Sequence, residues 1–477
     1  MRVILIILIV ILIALLGLPY WFGIQTEKDY KNITKDYSES EHLEITDQSY
    51  QKGWLNSKAK TTFLLINGDS GILKLEEIDT IYHGPIPLQL LFGEQAVLRP
   101  VMAVIDSEVR VIPVKESDYS EIIKNIPPLE LFTTLSLDGH GTTQITMRGL
   151  NTESGKQGEK LVWNGLEGVI DFGPQLESLD TRLKSPGLEI DGKDTELSIT
   201  DIEGESNLIY KDKGHNYPTG EASVSVKELF VKSTDDETGE EDYVRINGIR
   251  ISGSTEEETG TLSSAHSAGF EEIEIAGRKY GPGGYDLAIR NIDIASWRKI
   301  QKLINENERT RDTEQSKEQF MTELTLILPD LVRKSPEIEL TKLSIETDKG
   351  VLQGYALISV DGSNLENPEL AANPLFLITS IKASAELSIS KTLLKSMLTD
   401  YEMDEISDDY KNLGNPMPSA NELEEMAEKA AEEKIKELLN KNFIVIEGES
   451  YELRASYEMG QVMLNGSPLG LDSFMKQ

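Results

Sequence analysis

The stretch SAELSI, residues 384–389, places apolar side chains at every second position and polar ones between them. Successive side chains of a strand point to opposite faces, so this pattern predicts a strand that is buried on one face only. Such one-sided burial is typical of antiparallel sheets. The same alternation recurs in residues 196–202, 222–226, 243–251, 271–275, 285–289 and 340–345.

Few helical segments separate these stretches, which argues against a fold built from alternating strands and helices. The sequence predicts a β-rich α+β fold, with an N-terminal transmembrane helix followed by extended antiparallel sheets and two main helical blocks. Further strands are expected around residues 451–457 and 461–464. The run Gly281-Pro282-Gly283-Gly284 is interpreted as a turn and not as a phosphate loop, because Pro282 removes an amide donor.

The first helical block spans about residues 296–334, and Pro329 is expected to kink or end its second half. The second block spans 420–441 and opens with a capping box formed by Ser419 and Glu422. A shorter helix is expected at 391–399.

The chain is accordingly predicted to comprise four parts. An anchor at 1–25 is followed by an N-terminal antiparallel β-rich region at 26–295. A helical connector at 296–335 then leads to a C-terminal β-rich region at 336–477, which contains the helix at 420–441.

The N-terminal stretch Val3–Phe22 has 20 residues without a charge, and 14 of them are Ile, Leu or Val. As a helix it would span about 30 Å, the thickness of the hydrocarbon core of a bilayer. Tyr20, Trp21 and Phe22 suit the far interface, and Pro19 is expected to end or kink the helix. Their bulk disfavours signal cleavage, so an uncleaved anchor is preferred over a cleaved signal peptide or a buried core helix.

Arg2 and the α-amino group precede this stretch, but Lys28, Lys31 and Lys35 follow it, so a count of basic residues does not settle the orientation. A very short basic tail before a large acidic body resembles a signal-anchor. In a bacterium this predicts a single-pass inner-membrane protein with its body in the periplasm. The chain carries 47 Lys and Arg against 82 Asp and Glu, a net charge of −35. This charge argues against a nucleic-acid partner and against docking on anionic lipid through a basic patch.

Chemical motifs are scarce. Cysteine is absent and five histidines are scattered singly, so no catalytic residue, metal site or cofactor is predicted. Carboxylates are so numerous that no catalytic pair can be selected by spacing. A carboxylate-dependent hydrolase remains a third hypothesis on these grounds.

Two stiff stretches supply the candidate site residues, either as structural corners or as contacts for a partner. In the first, two aromatic residues flank a glycine at the entry to a strand. In the second, two prolines restrict the backbone and the residues before them. The candidates are Tyr50, Gly53, Trp54, Ser57, His83, Gly84, Pro85 and Pro87.

These two stretches, in this order after an N-terminal anchor, resemble the YdgA-like family of bacterial envelope proteins, a domain of unknown function. The resemblance continues through residues 161–168, 326–336 and 460–466. It implies an inner-membrane-anchored periplasmic protein of mixed, β-rich fold that can self-associate. The family supplies no catalytic residues to carry over.

Two hypotheses of function follow. The first is a non-enzymatic scaffold or binding module of the envelope, with the membrane as a partner and a homo-oligomer as an option. The second is a lipid-binding or lipid-transfer protein whose apolar sheet face forms a groove. Alternation alone does not distinguish an apolar face packed on helices from one that faces a lipid.

Overall fold

The computed structural model describes residues 17–28, 30–31, 43–67, 70–92, 96–113, 124–154, 159–211, 217–234, 241–275, 277–309, 314–362, 379–413 and 416–468. Residues 3–16, most of the predicted anchor, lie outside the described residues. Within the described residues, no helix is both long and apolar enough to cross a membrane. The described chain forms two compact units, residues 1–243 with 305–313 and residues 244–304 with 314–477.

The first unit is built of antiparallel strands and contains the helix α1 at residues 17–28, with residues 30–31 also helical. Its strands β1 to β12 are Leu43–Lys52, Asn56–Asn67, Ser70–His83, Ala103–Pro113, Leu129–Leu135, Gly141–Met147, Leu150–Ser154, Glu159–Trp163, Leu166–Phe172, Ser178–Asp191, Thr195–Ile209 and Thr219–Thr234. They pair in the order β1-β2-β3-β4-β5-β6-β9-β10-β11-β12, and the β7–β8 hairpin joins through β8 to β10.

The second unit combines antiparallel strands with α-helices. Its strands β13 to β23 are Glu241–Glu258, Thr261–Phe270, Glu272–Ile275, Arg278–Asp293, Glu337–Thr347, Gly350–Val360, Ile381–Ser390, Val445–Glu447, Ser450–Glu458, Gln461–Leu464 and Ser467–Pro468. Helices α2 to α5 are Ile294–Arg309, Glu314–Val332, Lys391–Asn412 and Ala420–Asn440. Helix α4 packs on β18 and β19 and against α5.

The structure confirms the β-rich antiparallel architecture. Residues 384–389 lie in β19, where Ala385, Leu387 and Ile389 pair with Ala455, Leu453 and Tyr451 of β21. The other alternating stretches also lie in strands, apart from Glu271 at the edge of β15.

The helical predictions are confirmed in position, with corrections to the lengths. Helix α5 opens with the predicted capping box, in which the Glu422 carboxylate accepts a hydrogen bond from the Ser419 amide at 3.1 Å. The first block consists of two helices, and α3 continues past Pro329 to Val332. The helix expected at 391–399 continues to Asn412. Helix α1 likewise does not end at Pro19.

The prediction of a turn at Gly281–Gly284 is wrong. This run lies inside β16, where the pairing with β17 shifts between Tyr280 and Gly283. The run forms an irregularity within the strand, a position at which sheets accept proline. Glycine at 283 also leaves room for the ring of Phe270, because a Cβ atom there would lie 2.4 Å from its Cζ.

The core of the first unit is small and lies where α1 meets the sheet. Ala59, Ile81 and Ala103, on three adjacent strands, are buried, and Tyr30 and Tyr50 pack against them. Full burial of a side chain such as Ile81 contributes about 1.5–3 kcal/mol. The helix that follows the apolar N-terminal stretch is therefore part of this core.

Candidate functional site

The eight candidate residues lie at one end of the sheet in the first unit. Tyr50 is near the end of β1, Gly53 and Trp54 lie between β1 and β2, and Ser57 is near the start of β2. His83 is the last residue of β3, and Gly84, Pro85 and Pro87 follow it directly. Strand register brings the two stretches side by side, since Ser57 pairs with Ile81. We call the contact of this region with α1 the helix–sheet joint.

A buried hydrogen bond connects the two stretches. The Oγ atom of Ser57 lies 2.9 Å from Nε2 of His83, and both residues are only 1% exposed. The other ring nitrogen of His83, Nδ1, lies 3.3 Å from the carbonyl oxygen of Trp54. Because a carbonyl oxygen can only accept, Nδ1 donates to Trp54 and the Ser57 hydroxyl donates to Nε2. Both nitrogens of the neutral ring are thus engaged.

Helix α1 lies against the same imidazole ring. A Cβ atom added to Gly23 would fall 2.4 Å from Cε1 of His83, so only glycine permits this approach. The fully buried Pro19, one turn earlier on the helix, presents its carbonyl to the ring as well. Burial lowers the pKa of His83 and outweighs these carbonyl contacts, so the ring is neutral at pH 7.

A second polar cluster lies deeper in the joint, around Asp79. The Asp79 carboxylate accepts hydrogen bonds from the hydroxyl of Tyr30 at 2.7 Å and from that of Ser107 at 2.6 Å. The Tyr30 hydroxyl also lies 2.9 Å from that of Thr61. Burial raises the pKa of Asp79, and the two donors oppose the rise. Tyr30, at the far end of the helical segment, is thus hydrogen-bonded to two strands, β2 and β3.

Glu77 shares this face of β3 with Asp79 and has a strongly perturbed pKa. Burial, followed by the negative charge of Asp79, raises the pKa of Glu77 to about 7. Because the folded state then binds a proton that the unfolded state has lost, the free energy of unfolding falls as the pH rises from about 4.5 to about 7. Ionisation of Glu77 therefore lowers the free energy of unfolding at neutral pH.

Replacing Glu77 with glutamine is expected to stabilise the protein at pH 8 by about 1–3 kcal/mol and to have little effect at pH 4. Glutamine has the size of the protonated acid but does not ionise. The measurement is chemical denaturation across this pH range. The control is Glu76→Gln, on the opposite face, where the carboxylate pairs with Lys60 at 2.5 Å. An equal gain at pH 4 and pH 8 would contradict the assignment.

The outer rim of the joint is aromatic and charged. The rings of Tyr20 and Trp54 lie 5.1 Å apart, and the ammonium group of Lys52 lies 5.6 Å from the centre of the Tyr20 ring. Glu27 bridges Lys31 and Lys52 at 2.8 and 3.1 Å. Hydrogen bonds from these two lysines lower the pKa of Glu27. The rim connects α1 with β1 and with the residues between β1 and β2.

The segment after His83 is fixed by its backbone. Gly84 donates a hydrogen bond to the carbonyl of Met102 at 2.8 Å, and Val101 donates to that of Pro85 at 2.8 Å. A Cβ atom at Gly84 would lie 1.8 Å from the Val101 carbonyl oxygen, so the two backbones touch here. The Gly84–Pro85 peptide is cis, and Pro87 is fully buried. The two prolines thus lie at the base of the connection between β3 and β4.

The Ser57–His83 pair is closed off within the joint. Ser57 and His83 have the separation of a nucleophile and its base, but a reacting serine must be open to its substrate. Here the hydroxyl is buried, and the acidic residue nearest in the strand, Asp79, is engaged by Tyr30 and Ser107. The histidine is oriented by the backbone carbonyl of Trp54 instead of by a carboxylate.

The chain matches a protein family over almost its whole length. The model of a family described as "Bacterial protein of unknown function (DUF945)" matches residues 1–472. The chain belongs to this family. The resemblance to the YdgA-like proteins is consistent with this DUF945 membership. No curated protein matches the chain significantly. No solved structure does either.

Several residues that build the joint in this DUF945 chain escape a search for motifs. Asp79 and Glu77 were missed, although they carry a usable signal. Asp79, Glu77 and His83 are polar residues on the otherwise apolar face of β3, where the alternating pattern predicts apolar side chains. Gly23 and Tyr30 lack such a signal except for their spacing from Pro19, which puts all three on one side of a helix.

Proposed function

We propose that this protein is a single-pass inner-membrane protein whose β-rich body lies in the periplasm and acts as a non-enzymatic scaffold or binding module. Its partners would be the membrane, through the N-terminal helix, and other envelope components or further copies of itself, through the body. In this proposal the helix–sheet joint couples the anchor rigidly to the body.

One observation carries the proposal. Helix α1 continues the apolar stretch and is built into the core of the first unit through Gly23 against His83, and Tyr30, in the helical residues 30–31 after it, is bonded to Asp79. Cleavage after Phe22 would remove Pro19 and expose His83 to water. A segment that the fold needs is poorly suited to removal as a signal peptide, which supports a retained anchor.

The location is testable because the chain has no cysteine. A single cysteine in place of Met459, which is 77% exposed, gives one reactive thiol. We expect a membrane-impermeant maleimide to label this variant in cells whose outer membrane alone is permeabilised. A cytosolic protein carrying one exposed cysteine is the control. Labelling only after lysis of the inner membrane would contradict a periplasmic body.

The scaffold role is tested by photocrosslinking in cells, with a photoreactive amino acid at exposed positions of both units. We expect crosslinks to specific proteins at a few positions, and none at positions in the buried joint. A survey in which no position captures a protein or lipid neighbour would count against the role.

A fluorophosphonate probe tests the hydrolase alternative. Such probes modify activated serines, and the burial of Ser57 is expected to exclude them. Labelling of the native protein should therefore equal that of the Ser57→Ala variant, with a known serine hydrolase as positive control. Labelling that disappears in Ser57→Ala would identify a reactive serine and overturn the non-enzymatic proposal.

A second candidate, a lipid-binding groove, is favoured by the apolar face of β10 and β11. Residues of the two strands that pair directly share this face, and they are only half-buried: Leu188 and Ile190 of β10 opposite Ile199 and Leu197 of β11. The other face of β10 carries the exposed charged residues Glu189 and Asp191 here. Half-buried apolar side chains on an ordered sheet can contact acyl chains.

Native mass spectrometry of the detergent-extracted protein separates the two candidates. A lipid carried in a groove would co-purify in a fixed ratio, and Leu188→Glu would abolish it. The matched control is Glu189→Gln on the opposite face. Lipid retention that is absent, or equal in both variants, would remove the second candidate.

A further inference from the structure

The connection between β3 and β4, residues 84–102 with 93–95 outside the described residues, leaves the sheet at the end of β3 that contacts α1. Its two ends meet at the joint, where Gly84 and Val101 touch and His83 contacts Gly23. Helix α1 points towards the same end. Tyr20 reaches Trp54 beyond the strands, whereas Tyr30 lies against Asp79, further along β3.

The composition of this connection differs from that of the chain. Of the 477 residues, 82 are acidic, but residues 84–102 contain only Glu94, together with the basic Arg99. Two large apolar side chains are exposed to an unusual degree, Phe92 at 97% and Leu98 at 73%. An exposed aromatic side chain contributes little to the packing of the folded unit, and a group of such side chains marks an interaction surface.

Helix α1, which contacts His83 at the same end of the sheet, also carries exposed apolar side chains. Leu18, Trp21 and Ile24 follow one another at helical spacing and are each more than 40% exposed. Trp54, stacked on Tyr20, is also more than half exposed. We call these six side chains the apolar edge: Leu18, Trp21, Ile24, Trp54, Phe92 and Leu98.

We propose that the apolar edge rests in the interfacial layer of the bilayer, so that the body has a second membrane contact besides its anchor. The inference rests on the proposed function, because it takes residues 3–16 as membrane-embedded. These residues are apolar throughout and lead directly into residue 17, so the bilayer begins where the apolar edge lies. Tryptophan and phenylalanine favour this layer.

Charge favours this edge as a surface that faces the lipid. A body with a net charge of −35 is repelled by anionic headgroups, and only a surface without carboxylates approaches them at low cost. The members of the apolar edge are all uncharged, and the exposed Arg99 beside Leu98 adds a positive charge. The contact is thus apolar in nature, consistent with the lack of a basic patch.

Single labels on the full-length chain test the contact. Phe92→Cys and Leu98→Cys each carry an environment-sensitive fluorophore in vesicles of phosphatidylethanolamine and phosphatidylglycerol. Lipids with a quencher near the headgroup or deep in the acyl chain report the depth. The control is Ile78→Cys, which is 40% exposed on the other side of the sheet from α1. Because Phe92 is almost wholly exposed, its replacement does not disturb folding.

We expect emission from positions 92 and 98 to shift to shorter wavelength and to be quenched most by the headgroup-level quencher, and the label at position 78 to show neither effect. Labels at 92 and 98 that match the label at 78 would overturn the inference. A wavelength shift without quenching by lipid would also overturn it, since the label would then lie against protein, such as a second copy.

A label at Leu8→Cys separates this inference from the proposed function. Deep quenching at position 8 with none at 92 would overturn the second contact and leave the anchor intact. Quenching at 92 with none at 8 would support the contact and remove the anchor. The label at Phe92 therefore decides the inference whatever the label at Leu8 shows.

Discussion

Replacing Gly23 with valine is expected to lower the free energy of unfolding by about 3 kcal/mol, measured by chemical denaturation. A Cβ atom at this position would lie 2.4, 2.6 and 2.9 Å from three atoms of the His83 ring. The ring cannot yield, because Ser57 and Trp54 hold both of its nitrogens. The helix must therefore move away from the sheet, and the contacts of Tyr30 with Asp79 weaken with it.

The matched control is Gly17→Ala, on the same helix. No atom lies within 4 Å of a Cβ at Gly17. Alanine there is expected to be neutral or to stabilise by about 0.5–1 kcal/mol, because glycine is a poor helix former. If Gly23→Val were as mild as Gly17→Ala, α1 would not pack on the sheet as described.

Replacing His83 with alanine is expected to destabilise the protein by about 3–5 kcal/mol. The substitution leaves a cavity beneath α1. It also leaves the Ser57 hydroxyl and the Trp54 carbonyl buried without their partner. The readout is again chemical denaturation, and the control is His140→Ala, since that side chain is 62% exposed. A loss no larger than that of His140→Ala would contradict a structural role for His83.

A double mutant of Gly23 and His83 isolates the contact between these two residues. Removing the imidazole makes room for a methyl group, so Gly23→Ala should cost much less in the His83→Ala protein than in the native one. We expect a coupling of about 1–3 kcal/mol from the double-mutant cycle. Simple additivity would mean that the helix and the ring do not touch.

Local patterns were sufficient to predict the strands and the best-marked helix. The alternation in residues 384–389 corresponds to β19, and the capping box of Ser419 and Glu422 begins α5. The glycine and proline residues at 281–284 led to the wrong prediction of a turn, because the same residue types occur here at an irregularity within a strand. A turn and such an irregularity require the same residue types, so composition alone does not separate them.

The sequence indicated only some of the residues that build the joint, for a physical reason. Tyr50, Trp54, Ser57 and His83 stood out through aromatic residues, glycine and proline close in sequence. Their partners come from far along the chain, as with Tyr30 and Asp79. Such pairs depend on strand register and helix docking, which no local pattern encodes. The exposure of Phe92 likewise emerged only once the connection between β3 and β4 was in place.

The central claim is that the apolar N-terminal stretch stays attached to a body that it helps to fold. The most direct test is the intact mass of the protein extracted from the membrane fraction of cells. The account predicts a mass that includes residues 3–22. A mature chain beginning beyond Phe22 would contradict it, because Pro19 would then be missing from the joint that His83 and Ser57 build.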